Sequence, residues 1–472
     1  MKKIGHDIIL DCVKLLDPLL LTFPFAVCWF GYYAGRIAHP FYHRGNWLII
    51  AAFFVLYLVF SQIYDALLIS FHQLSEMVYS QVLAVLLADG VMFIVLCLLT
   101  RHFPNILPAL AAFAGQVGLA ALWSVFANRW YFSSFPAKPS AVIYDVRYGL
   151  ERLVSDYGLD RKFDIQVTAS AEECLDDIHM LDGMDIVFLS GIHSHDRNIF
   201  LKYCIDRDIS VYVIPRIGDT LMSGARRMHL FHLPLLRVER YNPAPAYLLV
   251  KRLIDIVFSA AAILVLSPTM LITAIAIKAT DGGPVLYKQV RLTKDGNLFH
   301  LLKFRSMRVD AEKDGVARLS TGDNDDRITP VGCIIRKVRI DELPQLFCIL
   351  FGTMSIVGPR PERPEIAVRY EEEMPEFALR LQAKAGLTGY AQVYGKYNTT
   401  PYDKLQMDLM YISHPSILED FRIIFATVKI LFMPESTEGV KEGQTTASYE
   451  YMPAEFEKDE ELAAAGRDAQ AS

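Results

Sequence analysis

The sequence predicts a membrane α/β protein in three parts. These are a four-helix transmembrane bundle, a Rossmann-like parallel-sheet middle domain, and a mainly α catalytic domain with a re-entrant membrane helix. Three observations carry this reading. Long apolar segments fill residues 1–135. Short apolar runs alternate with helix-length polar stretches through residues 136–240. A fifth apolar stretch then opens residues 245–433, where an acidic pair stands among basic residues. Residues 434–472 are acidic, polar and poor in large apolar side chains, and read as a disordered tail.

The chain is 53% hydrophobic with a mean hydropathy of +0.26, too apolar for an ordinary soluble protein. A net charge of −6 gives no sign of a nucleic-acid partner. Seven cysteines form no C-x-x-C pair and no metal-type spacing, so they read as small apolar residues in a reducing compartment.

The first four apolar segments run from Val13 to Ile37, Trp47 to Phe71, Val82 to Leu99 and Ile106 to Phe126. Each approaches or exceeds the roughly 20 residues that cross a bilayer. Trp47, Trp123, Trp130 and Tyr131 lie near segment ends, where aromatic belts form. Asp65 and Asp89 interrupt two segments and are either functional or bonded to a neighbouring helix. Lys2, Lys3, Lys14, Arg129 and Lys138 outnumber Arg36, Arg44 and Arg101, which favours an N-terminus inside. An even number of crossings returns the later domains to that cytoplasmic side.

In the middle part, AVIYDV (141–146), FDIQV (163–167), DIVFLS (185–190) and SVYVI (210–214) give the βαβ rhythm of a parallel sheet. The stretch from Asp145 to Gly149 lacks the G-x-G-x-x-G fingerprint, which argues against a dinucleotide. Regulation or subunit contact is the expected role.

The fifth apolar stretch, 253–277, is of spanning length but has Ser267-Pro268 near its middle. Proline removes a backbone donor and kinks a helix. Lys251-Arg252 and Lys278 flank both ends. A re-entrant helix–break–helix keeps both basic flanks on one face, and the Ser267 hydroxyl can satisfy a carbonyl freed at the break. A proline-kinked spanning helix is the competing reading.

The last domain holds Asp341 and Glu342 side by side before a proline. Arg336, Lys337 and Arg339 stand upstream, and Arg360 sits between Pro359 and Pro361. Such a pair suits chemistry at phosphorus: one carboxylate attacks, the other holds a divalent cation, and arginines bind the phosphate oxygens. An exposed helix start with solvated charges is the plainer alternative. Lys303 and Arg305, flanking Phe304, are either strand residues facing water or further phosphate ligands.

The motifs GGPVLYKQVRLTKDGNLFHLLKFRSM (282–307), DNDDRITPVGCIIRKVRIDELPQL (323–346), SIVGPRPERPE (355–365), KAGLTGYAQVYGK (384–396) and DKLQMDLMYI (403–412) stand in order. Together they resemble the bacterial sugar transferases known as monotopic phosphoglycosyl transferases, from Lys251 to about Phe432. The layout resembles the long-chain members, which add four transmembrane helices and a sheet domain. The resemblance implies transfer of hexose-1-phosphate from a UDP-hexose to undecaprenyl phosphate with release of UMP, glucose or galactose being favoured. It implies the first membrane step of exopolysaccharide, capsule or O-antigen synthesis. By the same resemblance Asp341 is the nucleophile that forms an aspartyl phosphosugar, and Glu342 and Asp408 are acids associated with Mg2+. Lys303, Arg305, Arg336 and Arg360 serve the phosphates, and Ser267-Pro268 is the break of the re-entrant helix. A homodimer in the bacterial inner membrane, with the catalytic domain on the cytoplasmic face, is implied as well. Two departures stand out: Ala385 replaces the usual proline of Lys-Pro-Gly, and Cys333 stands where a basic residue is commoner.

Two alternatives compete with this function. Asp323-Asn324-Asp325 is a D-x-D pattern of metal-dependent glycosyltransferases that release UDP. A non-enzymatic membrane scaffold would instead use the sheet domain to bind partners.

Overall fold

The structure, a computed structural model, describes residues 2–41, 43–145, 147, 149–308, 327–395 and 399–431. The D-x-D pattern at 323–325 and the tail from 434 lie outside the described residues. Four long helices come first: α1 (Lys2–Cys28), α2 (His43–Ile63), α3 (Leu74–Thr100) and α4 (Leu107–Ser134). A π-helical turn, Trp29–Tyr33, extends α1. Phe53, Tyr57, Ala84, Ala88 and Ala120 meet at the bundle centre. Leu48, Ile94, Leu98 and Leu122 point outward and are more than 60% exposed, as a lipid-facing surface requires. By length and apolarity α2, α3 and α4 qualify as membrane spans, whereas α1 carries Asp11, Lys14 and Asp17. Asp17 is buried and takes the Tyr57 hydroxyl at 2.5 Å.

The middle domain places β1 (Lys138–Tyr144), β2 (Phe163–Ser170), β3 (Ile186–Ser190) and β4 (Ser210–Ile214) in one parallel sheet, order β2-β1-β3-β4. Each predicted run overlaps one of these strands, with Asp145 beyond the end of β1 and Asp185 before the start of β3. The intervening helices are α5 (Leu150–Asp156), α6 (Ala171–Asp176) and α7 (Ser194–Asp206). Ala141, Ile143, Ala169, Val187 and Leu189 of the sheet are buried in one core with Phe200 and Cys204 of α7. Helix α8 (Ile217–Ser223) and an exposed antiparallel ribbon, β5 (Arg226–Leu230) with β6 (Leu233–Arg237), follow. Lys162 ties the sheet to the bundle: its Nζ donates to Ser70 Oγ at 2.9 Å and lies over the Phe71 ring.

Helix α9 runs unbroken for 37 residues, Pro245–Asp281. The predicted helix–break–helix is not observed as an interruption, and the reason is local. Pro268 cannot donate to the carbonyl four residues back, that of Leu264. Ser267 Oγ donates to that same carbonyl at 2.8 Å, so the run continues. Both ends of α9 belong to one domain. Near its start, Lys251 pairs with Asp420 at 2.9 Å, and Arg252 donates to the Ile349 and Leu350 carbonyls at 2.7 and 2.8 Å. Asp255 accepts from Ile356 N at 2.9 Å. Near its end Ile277 packs on Phe304 and Ile335. Between them Leu264, Val265, Leu271 and Ile272 face outward, each more than 60% exposed.

The catalytic unit begins with the antiparallel pair β7 (Leu286–Leu292) and β8 (Leu298–Phe304). Short helices α10 (Pro330–Lys337) and α11 (Gln345–Phe351) lead to β9 (Ser355–Val357). Then come α12 (Pro364–Glu373), β10 (Gly386–Thr388), α13 (Tyr390–Tyr394), α14 (Pro401–Ser413) and α15 (Ile417–Leu431). Phe425 of α15 packs edge-on against Phe60 at 5.5 Å, joining this unit to the bundle.

Strands β9 and β10 pair in parallel and bring the Gly-Pro-Arg and Lys-Ala-Gly motifs together. Gly358 N donates to Thr388 O and Gly386 N to Pro359 O, both at 2.9 Å. A Cβ on Gly386 would lie 2.2 Å from Gly358 N, and one on Gly358 would lie 2.2 Å from the Lys384 carbonyl. Both glycines are therefore required by close backbone approach. Gly386→Ala is expected to cost about 1–3 kcal/mol by overpacking, read as a lower unfolding temperature in detergent. An unchanged melt would contradict this packing account.

Candidate active site

The acidic pair occupies a break between two helices. Thr329 caps α10, its Oγ1 accepting from Gly332 N at 3.0 Å, and Pro330 follows at the first position. The helix ends on Arg336 and Lys337, basic residues that suit its negative end. Arg339 then adopts a left-handed conformation (φ 54°), turning the chain. Ile340–Glu342 form one 3₁₀ turn that presents both acids, and Pro344 leads into α11. Arg252 holds the last carbonyls of α11, so α9 fixes the far end of this segment.

Strand periodicity delivers the lysine. Side chains of β8 alternate, so Lys303 continues the row of buried Phe299 and Leu301. Its Nζ meets Glu342 Oε1 at 3.2 Å. Phe304, on the opposite face, packs on Ile277 and Ile335. Arg305 is buried, with its backbone N–H bonded to Val285 O at 2.9 Å.

Arg360 is delivered by the β9–β10 ladder. Its Nη2 lies 3.6 Å from the same Glu342 oxygen, while the side chain stays 44% exposed and so within reach of a ligand. Glu342 thus takes both direct ion pairs. Among the described residues, Asp341 takes none. Electrostatics separates the two acids further. Burial opposes ionisation of Glu342, but Lys303, then Arg360 and Arg339, overcome it and hold its pKa at about 2. Asp341 is held above the ordinary carboxylate value by burial and by the Glu342 charge, with Lys303 and Arg336 pulling the other way. The site therefore has one committed anion and one uncommitted carboxylate of raised basicity.

Asp408 sits elsewhere in the network. It is buried on α14, with Arg380 Nη2 2.7 Å from its Oδ2. Burial raises its pKa to about 6 against the pull of Arg380. The same Arg380 Nη2 donates to the Arg360 carbonyl at 3.0 Å. The connection from Asp408 to Glu342 therefore runs through two arginines. Arg291 donates to the Pro361 carbonyl at 3.0 Å, and Glu362 lies near both clamping arginines, 3.6 Å from Arg380 and 3.8 Å from Arg291.

Lys303, Arg336 and Arg360 are thus brought to the acidic pair. Arg291 and Arg380 were not singled out as site residues, and Arg339 was noted upstream of the acidic pair without a role of its own. Arg339 had a signal, lying two positions before Asp341. Arg291 and Arg380 had none, since an arginine among apolar residues reads equally as a surface residue with a buried stem.

Among the described residues, no group of three or more histidine, cysteine, aspartate or glutamate side chains could hold a metal ion. Magnesium needs less: one or two carboxylates with substrate phosphates complete its shell. The ionised Glu342 beside Asp341 fits that demand, whereas Asp408 is engaged by Arg380.

Residues 246–434 match the family described as Bacterial sugar transferase. The chain is 38% identical over 235 residues to the UDP-N-acetylgalactosamine-undecaprenyl-phosphate N-acetylgalactosaminephosphotransferase of Aeromonas hydrophila, covering 49% of this chain and 54% of that protein. It is 41% identical over 251 residues to the UDP-glucose:undecaprenyl-phosphate glucose-1-phosphate transferase of Klebsiella pneumoniae, with the same two shares, 49% and 54%. It is 43% identical over 192 residues to the exopolysaccharide production protein PSS of Rhizobium leguminosarum bv. phaseoli, covering 38% of this chain and 94% of that protein. The chain spans about half the length of the first two relatives and nearly all of the third. With its acids, lysine and arginines gathered inside the matched region, the chain belongs to the bacterial sugar transferase family.

Proposed function

We propose that this protein transfers a sugar-1-phosphate from a UDP-sugar to undecaprenyl phosphate and releases UMP. The observation that carries the reading is the unequal acidic pair: Glu342 is bound by Lys303 and Arg360, and Asp341 is left uncommitted beside them. An Asp341 oxygen attacks the phosphorus that bears the sugar. The bond to the bridging oxygen breaks, and UMP leaves with that electron pair. A phosphate oxygen of the lipid then attacks the aspartyl phosphosugar, and the Asp341 carboxylate is released. Lys303, Arg336 and Arg360 neutralise the phosphate oxygens as charge moves. Magnesium held by Glu342 and the donor phosphates would supply further charge neutralisation.

The names of the relatives support the donor class, UDP-glucose in one and UDP-N-acetylgalactosamine in another. A hexose without an N-acetyl group, glucose or galactose, remains our favoured donor. The PSS relative supports exopolysaccharide synthesis as the pathway class. We place the protein in the bacterial inner membrane with its catalytic domain on the cytoplasmic face. Contacts of α9 with the catalytic unit at both ends and along its length, at Lys251, Ile263, Leu266 and Ile277, support keeping both of its basic flanks on that face. A homodimer belongs to the same proposal.

The test supplies purified protein, undecaprenyl phosphate and magnesium with a panel of UDP-sugars, and assays UMP and UDP separately. UMP from one donor is expected, reduced about 1,000-fold or more in Asp341→Asn. Release of UDP would contradict the proposal.

The electrostatics gives a second test. Asp341 must be ionised to attack, so activity falls as pH drops through its raised pKa. Lys303 pulls that pKa down. Lys303→Met is therefore expected to move the acid limb of the kcat/KM profile to higher pH, besides lowering the rate. A limb that stays in place or moves to lower pH would contradict the assignment.

A further inference from the structure

In an open parallel sheet, ligands bind outside the carboxyl ends of the strands, where the strand order reverses. Here the order β2-β1-β3-β4 puts that reversal between β1 and β3. Helix α14 of the catalytic unit is seated on this edge. Arg147, just beyond β1, forms an ion pair with Asp403 in the first turn of α14. Gly191, just beyond β3, lies so close that a Cβ there would meet Arg147 N at 3.1 Å. Gln406 Nε2 donates to the Pro215 carbonyl after β4, and Ser413 Oγ donates to Thr220 O at 3.1 Å. A Cβ on Gly224 would lie 2.8 Å from Ser413 O. The crevice's own charges are paired as well. His193 lies between Asp145 at 3.5 Å and Arg216 at 2.8 Å, and Arg197 bonds Asp219 at 2.7 Å.

Helical spacing explains why one helix serves two domains. Asp403, Gln406 and Ser413 fall on one stripe of α14 and meet the middle domain. Leu405, Asp408, Leu409 and Ile412 fall on another and are buried in the catalytic unit. From Asp408 the contacts continue through Arg380 to the Arg360 carbonyl, and from Arg360 to Glu342.

We propose that the middle domain positions Arg360 through α14, with Arg147 as the positioning residue at the joint. The sheet edge that would take a nucleotide is used as the seat of a helix. The Arg147–Asp403 pair is largely buried, at 13% and 21% side-chain exposure, so breaking it leaves a charge without its partner in a poorly solvated place. The proposal rests on the transferase reading for its catalytic consequence, and on geometry alone for the positioning.

The test uses the full chain in detergent with Arg147→Ala, Asp403→Ala, the double alanine variant and the reciprocal pair Arg147→Asp with Asp403→Arg. Two assays are run: steady-state kinetics, giving kcat and KM for the best UDP-sugar, and hydrogen exchange of peptides covering 358–373 and 375–386. Each single variant is expected to lower kcat by about tenfold with little change in KM, and to speed exchange in both peptides. The double alanine variant is expected to be no worse than either single, and the reciprocal pair to recover part of both losses. Arg207→Ala, which removes an exposed pair with Asp182 inside the middle domain, is expected to change neither. Unchanged exchange around Arg360 in the single variants, or additive losses in the double, would overturn the proposal. If the wild type turns over no UDP-sugar, the transferase reading fails, while hydrogen exchange still decides the positioning.

Discussion

The structure depends on the charge balance around Glu342. A nearly buried carboxylate next to a second one is unfavourable unless cations compensate it. Lys303 and Arg360 do so by direct contact, and Arg339 by proximity. The consequence is a division of labour. The cations are spent on Glu342, and its charge in turn raises the affinity of Asp341 for a proton. Among the described residues Asp341 has no ion-pair partner, and its raised basicity suits the attack proposed for it.

Much of the remaining catalytic fold serves to hold those cations in place. Lys303 comes from strand alternation in β8. Arg360 comes from a two-strand ladder whose glycines permit backbone contact that no Cβ would allow. Its carbonyl is held by Arg380, and the next carbonyl by Arg291. Helix α9 contributes at both levels. Its first turns brace α11 and β9 around the acidic pair, and its middle exposes Leu264, Val265, Leu271 and Ile272.

The sequence made the large pattern legible because that pattern is compositional. The bundle followed from apolar length and the parallel sheet from the spacing of short apolar runs. The acidic pair and its basic neighbours followed from their chemistry. Three features were not legible. The Ser267 hydroxyl satisfies the Leu264 carbonyl in a continuous helix, and sequence cannot say whether a proline breaks a helix or is accommodated. The pairing of Asp408 with Arg380 was hidden because Arg380 lies 28 residues away in sequence and carries no local signal. The role of the middle sheet was hidden because Arg147 and Asp403 are joined only by tertiary packing.

The most direct measurement is intact-protein mass spectrometry after incubation with the UDP-sugar donor and magnesium, with no lipid acceptor. The account predicts a gain of one sugar-phosphate unit per chain, located in the peptide containing Asp341 and absent from Asp341→Asn, and lost again when undecaprenyl phosphate is added. A protein that produces UMP only when lipid is present, and never carries the adduct, would contradict attack by Asp341.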